Sequence, residues 1–385
     1  MVSLLKKILT LYLITSGIIL HFSIAGLYVF NKPFFYKIYS NIDQKIKLTL
    51  DPEYLKKEKK AQKLTLAHEI KNTFGIWRPL KPSMQIPKGN IKINNKLYNS
   101  LKQAANHLKD GQTMFIGEGV YKQGMIIKAN NITVIGQGKV ILDGASVEGK
   151  GAIVTKGKNI SIINIECRNI KVRDHNGACI RSEGKSLHVE HVYFHNSEQG
   201  IISGRSTQLV TIKDSRFEQL GKNGRAHGIY IGAGKLVIEN SQFIAAKSEA
   251  HEIKSRAHTN IINNSIIASM SAKDSRLIDI SNGGILTINN SILQQGKNSV
   301  NGDAIGYGLE NTRYKNNRIK ITNSIIILER KVFNQFLHTG KFQHDTKITR
   351  NIIISPKDID IAGFNTFYID RKSAGFKAYP DLPEL

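Results

Sequence analysis

Five ionisable side chains, His251, Glu252, Lys254, Arg256 and His258, fall within eight residues of the stretch SEAHEIKSRAHTNIINNSII, directly ahead of an Asn/Ile run. An amine, a guanidinium, a carboxylate and imidazoles at close spacing are the parts of an acid/base site, provided that a strand turns them to one face. Which side chains lie beside them in neighbouring elements decides whether they can work together.

One chemistry that needs such a set is β-elimination in a uronic-acid polymer. A cation must neutralise the sugar carboxylate, a base must take the acidified C5 proton, and an acid can protonate the leaving glycosidic oxygen. Reprotonation from the opposite face of the sugar would instead make a C5 epimerase. Glycoside hydrolysis would use two or three carboxylates, for which Asp279, Asp303 and Glu252 are candidates, but the polygalacturonase-like pattern NTD…DD…HG is absent.

The elements that must position these groups repeat. The stretches NITVIGQG, SIINIEC, HVEHVYF, VTIKDSRF, LVIENSQF, NIINNSII, LTINNSIL, IKITNSIII and KITRNIII align Gly136, Asn164, His191, Asp214, Asn240, Asn264, Asn290, Asn323 and Arg350 in one column. The gaps between them are 28, 27, 23, 26, 24, 26, 33 and 27 residues. Period-two alternation rich in Ile and Val marks strands, and a propeller blade needs about 40 residues or more. One turn of a parallel β-helix fits, with nine coils stacking into a continuous core and the Asn column read as an inter-coil hydrogen-bond ladder. A second column of isoleucines, Ile180, Ile202, Ile229, Ile253, Ile278 and Ile305, is read as interior. Alternation then sends Arg181, Ser203, Tyr230, Lys254, Asp279 and Gly306 outward.

On this reading Tyr230, Lys254 and Asp279 form an outward row, with Arg256 and Glu252 beside it and His227 and His251 adjacent at the strand edge. Lys254 is expected to act as base if neighbouring cations depress its pKa, Arg256 or Arg181 to clamp a carboxylate, and Tyr230 or His227 to supply a proton. Arg181, Arg205, Arg225, Arg276 and Asn282 are the candidate substrate-binding residues.

The stretch SLKQAANHLKDGQTMFIGEGVYKQGMIIKANNITVIGQGKVILDG, residues 100–144, resembles the opening of pectate-lyase-like right-handed β-helix proteins, a resemblance that extends over about residues 95–355. It implies an all-β, single-stranded right-handed parallel β-helix of about nine coils, a fold that hosts lyases, hydrolases, epimerases and adhesins. EAHEIKSRAHTNIINNSI is similar to a strand of the polysaccharide lyase family that includes chondroitinase B and many alginate lyases. That resemblance implies Lys254 as base and Glu252 or Glu249 as ligands of a Ca²⁺ ion. Where the family has a catalytic Arg in the following coil, LIDISNG places Asp279, with Arg276 three residues earlier.

With 55 Lys and Arg against 30 Asp and Glu, the net charge of +25 suits a polyanionic partner. An acidic polysaccharide is expected. No nucleic acid is expected, since no aromatic-rich basic platform or known nucleic-acid motif occurs. Holding an anionic glycan without chemistry is the distinct non-enzymatic reading. Lys6 and Lys7 precede 23 residues, Ile8–Phe30, without a formal charge, which reads as a signal peptide or membrane-spanning helix and implies an exported, periplasmic or inner-membrane-tethered chain. The expected organisation is residues 1–30 anchor or signal, 31–92 linker with a short helix, 93–358 β-helix and 359–385 cap or tail. Cys167 and Cys179 are the only cysteines, either paired or free.

Overall fold

The structure is a computed structural model that describes residues 65–385 apart from 331, 333, 358 and 360. The N-terminal apolar segment, with the anchor or signal expected there, lies outside the described residues. Among the described residues no helix is long and apolar enough to cross a membrane.

Short strands rich in Ile, Val and Thr suit a pleated surface buried on one side. Here each coil contributes one strand to each of three parallel sheets, and nine complete coils run from Thr113–Ile116 to Gln335–Thr339. The fold is the expected right-handed parallel β-helix. Antiparallel strands Ile91–Ile93 and Lys96–Tyr98 and the helix Leu101–Asn106 close its N-terminal end. Its axis is filled by stacked apolar rows, such as Phe194, Phe217 and Phe243.

The Asn column has a cause different from the one expected. Asn164, His191, Asp214, Asn240, Asn264, Asn290, Asn323 and Arg350 all adopt φ between 46° and 59°. They form the corner between two sheets, and Asn tolerates this left-handed conformation better than most residues. Side-chain pairing in the column is partial, as in Asn290 Nδ2 to Asn264 Oδ1 at 2.8 Å. The continuous ladder is one residue further on: the backbone N–H groups of Ser215, Ser241, Ser265 and Ser291 each donate to the Oγ of the serine in the next coil at 3.1–3.2 Å. Those buried amides would otherwise lack a partner, because the chain turns there.

The interior isoleucine row is Ile153, Ile180, Ile201, Ile229, Ile253, Ile278 and Ile305. Ile201, not Ile202, faces inward, so the expected register is one residue off in that coil. Two adjacent isoleucines satisfy the pattern equally, and a one-residue slip exchanges the faces. Ile202 therefore joins the outward row, while Ser203 is buried and accepts from Gly232 N–H at 3.1 Å.

Residues 65–92, the described part of the expected linker, are docked on the wall. The helix Leu66–Phe74, capped by Thr65, packs Ile70 against Ile244, Ala268 and Met270. Beyond it Trp77 stacks on Tyr193 and lies tilted against His191, and the amides of Leu80 and Ser83 donate to Asn164 and Gln137, both at 2.8 Å. At the other end Thr366–Tyr368 extends one sheet through Ile352–Ile354, while Phe364 is exposed. The C-terminal segment then returns along the wall, where Tyr379 Oη donates to Glu69 at 2.6 Å. Cys167 and Cys179 are joined by a disulfide in the core.

Candidate active site

Pairing of Ile229–Ile231 with Ile253–Ser255, and of the latter with Ile278–Ile280, sets Tyr230, Lys254 and Asp279 side by side on the outer face of one sheet. Parallel register requires this once the isoleucines point inward. The row continues through Arg181 and Ile202 on one side and through Gly306 and His338 on the other.

The centre of this face is closed off from solvent, while Tyr230 and Arg256 beside it are part-exposed. Lys254 is 9% exposed and Asp279 2%. Lys254 Nζ donates to Asp279 Oδ2 at 2.8 Å and to Glu310 Oε1 at 2.5 Å. Burial alone would lower the Lys254 pKa, but the two carboxylates outweigh it and hold the amine above its ordinary value. The expected depression by neighbouring cations therefore does not occur: carboxylates, not cations, sit closest, and Lys254 is an ammonium group. Asp279 also accepts from Ser281 Oγ at 2.9 Å, with Arg276 Nη1 3.7 Å from its other oxygen. Burial pushes its pKa up, yet His251, Lys254 and Arg276 bring it down to about 2.

Arg256 spans the opening. Its Nε donates to Tyr230 Oη at 2.7 Å, its Nη1 to Asn282 Oδ1 at 3.0 Å and its Nη2 to Glu310 Oε2. Negative charge on the phenol oxygen would thus lie directly against a guanidinium. The loop bearing Glu310 is also tied to this strand by Tyr314 Oη, which donates to Arg256 O at 2.7 Å.

His227 and His251 stack with centroids 4.8 Å apart. Each Nδ1 accepts a backbone N–H, from His251 at 3.2 Å and from Arg276 at 3.1 Å, which leaves the proton on Nε2. Burial keeps both neutral, lowering His251 to about 4 and His227 well below its ordinary value, the latter with help from the neighbouring imidazole. His251 Nε2 is 3.9 Å from Asp279 Oδ2.

Beyond Asp279, Arg276 reaches over Gly306 to Asp303 at 2.9 and 3.1 Å, and His338 Nδ1 meets the same Asp303 oxygen at 3.0 Å. A Cβ on Gly306 would come within 2.9 Å of Arg276 Cδ and of Asp279 Oδ1. Only a glycine leaves that passage open.

The expected site is therefore assembled in part. Tyr230, Lys254, Arg256, Asp279, His227, His251, Arg276 and Asn282 come together. Glu252 does not join them: it is buried, its Oε1 accepts Ala246 N–H at 2.5 Å, and burial beside Asp274 drives its pKa well up. Strict alternation fails there because residue 252 precedes the strand. Arg181 lies three rungs from Lys254, about 14 Å at ~4.8 Å per rung, with its Nε 3.8 Å from Glu183. Arg205 and Arg225 are exposed in turns of earlier coils.

Calcium was expected at Glu252 or Glu249. Glu252 faces a backbone amide, and Glu249 is exposed in a turn with φ 63°. Among the described residues no group of three or more His, Cys, Asp or Glu could hold a metal ion. These donors do not fit a bound Ca²⁺.

Glu310 is the main residue that the sequence reading missed. It lies in an irregular loop after the strand Asp303–Tyr307. The 33-residue gap between Asn290 and Asn323, longer than every other in the repeat, is the signal of that insertion.

No family model matches the chain, and no curated protein matches it. Among solved structures, an alginate lyase from Paenibacillus sp. str. FPU-7 is similar, with a TM-score of 0.51 at 17% sequence identity, over 70% of this chain and 93% of that one. The likeness is one of fold.

Proposed function

We propose that this chain cleaves an acidic, uronic-acid-containing polysaccharide by β-elimination. One arrangement carries the reading: Lys254 and Arg256 converge on a single carboxylate, that of Glu310, while the Tyr230 oxygen lies 2.7 Å from the same guanidinium. Two cations around one carboxylate, with an oxygen base beside them, is what elimination from a uronate requires.

With a sugar carboxylate between Lys254 and Arg256, the two cations stabilise the dianion that develops when C5 loses its proton. To take that proton the Tyr230 oxygen must react as the phenolate, whose charge Arg256, 2.7 Å away, would offset. The C5–H electron pair becomes the C4–C5 double bond, the C4–O bond breaks, and the leaving oxygen receives the proton that Tyr230 carries. Lys254 thus serves as a fixed cation beside Arg256, and Tyr230 as base as well as acid, whereas the sequence pointed to Lys254 as base and to Tyr230 or His227 only as proton donor. Asp279 holds Lys254 from below and is itself oriented by Ser281 and Arg276. The buried imidazoles of His227 and His251 stay neutral, and the Nε2–H of His251 faces Asp279 from 3.9 Å, adding to the fixed charge pattern beneath Lys254.

The fold shared with an alginate lyase puts alginate first among the polymers to try. The Cys167–Cys179 disulfide is of a kind that persists in oxidising compartments, which supports an exported location. The test is to incubate the full chain with alginate, pectate and glucuronan and follow ultraviolet absorbance. Unsaturated uronides support the reading. New reducing ends without unsaturation, changed sugar configuration without cleavage, or retention without chemistry would each replace it, with a hydrolase, an epimerase or a binding protein respectively.

A further inference from the structure

Glu310 stands apart from the rest of the charged cluster. Asp279 is sealed in the floor, whereas the Glu310 side chain is 42% exposed and closes the opening over Lys254 and Arg256. It takes one cation on each carboxylate oxygen. Burial raises its pKa, but the lysine and the guanidinium hold it below the usual range, so it is ionised at neutral pH. An anion of the same geometry as a sugar carboxylate therefore occupies the site when no sugar is present.

We infer that Glu310 is a built-in competitor for the carboxylate subsite, displaced by each incoming uronate. The inference rests on the proposed action on polyuronates and names the subsite within it. Displacement needs only the side chain to turn. The backbone is fixed, since the amides of Glu310 and Asn311 donate to Ser281 O at 3.2 and 3.3 Å and Arg313 N–H to Asn282 O at 3.1 Å. Neither cation is stranded when it leaves: Lys254 keeps Asp279, and Arg256 keeps Tyr230 and Asn282. Arg276 is excluded as an alternative subsite, because Asp303 and Asp279 already hold it.

Occupation by an internal anion lowers apparent affinity by the fraction of time that the subsite is blocked. It also screens out weakly bound anions, since a ligand must outcompete a tethered carboxylate. Glu310→Gln keeps the shape and one hydrogen-bond acceptor while removing the charge.

The experiment compares the full wild-type chain with Glu310→Gln, measuring calorimetric binding of a saturated alginate trimer together with KM and kcat on the polymer. The expected result is about tenfold tighter binding and a correspondingly lower KM for the variant, with kcat within a few-fold of wild type. Unchanged affinity in a variant that still turns over polymer overturns the inference and leaves the proposed function standing. So does a fall in kcat at unchanged KM, which would make Glu310 a positioning residue for the two cations. If neither protein binds or cleaves any of the three polyuronates, the proposed function fails and the inference fails with it.

Discussion

Asp279 lies one rung beyond Lys254 with Oδ2 2.8 Å from its Nζ, and the pair is almost wholly out of solvent. An outward-facing strand residue would ordinarily be removable without cost to the fold. Lys254 is not, because its loss leaves a buried carboxylate short of its main partner.

Lys254→Met is therefore expected to abolish turnover and also to destabilise the chain by about 3 kcal/mol, the usual size for breaking one side of a buried pair. The double variant Lys254→Met/Asp279→Asn should recover most of that stability but none of the activity. Denaturant melts of the two single variants and the double variant measure the coupling. Additive single-site effects would mean that the pair is not the unit described.

Gly306→Ala places a methyl group where Arg276 crosses to Asp303. A cost of about 1–3 kcal/mol is expected from overpacking. If Arg276 and Asp279 steady Lys254, kcat should fall more than KM rises. A variant with wild-type melting and kinetics would show that the crossing is slack.

Stability should depend on pH through buried groups of opposite sign, His251 and Asp274 among them. His251, at 6.5 in its ordinary state and about 4 here, is neutral when folded. Across that window the unfolded chain binds the extra proton, so stability rises with pH and is complete above the ordinary histidine value. Asp274, carried by burial from 3.8 to about 7, keeps its proton when folded. Its contribution runs the other way, being full at the acid end and lost as pH climbs toward about 7. Melting scans should show the advantage of Asp274→Asn over wild type growing with pH and levelling off above neutrality, while His251→Gln flattens the acid limb. Parallel curves for wild type and both variants would contradict this.

Reduction of the disulfide removes a cross-link that closes a loop of sequence separation 12. Loss of about 2–4 kcal/mol is expected on reduction or in the Cys167→Ser/Cys179→Ser variant. Thermal melts with and without reductant measure it, and equal melting temperatures would argue against a constraining bond.

The coils and the row Tyr230, Lys254 and Asp279 were legible in the sequence because inward isoleucines and period-two alternation fix the register. Where the pattern was degenerate, as at Ile201 and Ile202, the register was not. The corner conformation behind the Asn column was hidden, since Asn suits both a ladder and a left-handed turn. Glu252 could not be placed because alternation stops at the end of a strand. Glu310 obeys no repeat at all: an irregular loop carries it onto the site, and only the unusual length of the gap marks where that loop is.

The Tyr230→Phe variant tests the central claim most directly, because it removes one oxygen and leaves Lys254, Arg256 and the core in place. Unsaturated uronide formation from alginate or another polyuronate should fall by about a thousandfold, the scale of a lost acid/base group, with binding of the trimer retained. Elimination at an undiminished rate in Tyr230→Phe would contradict the account.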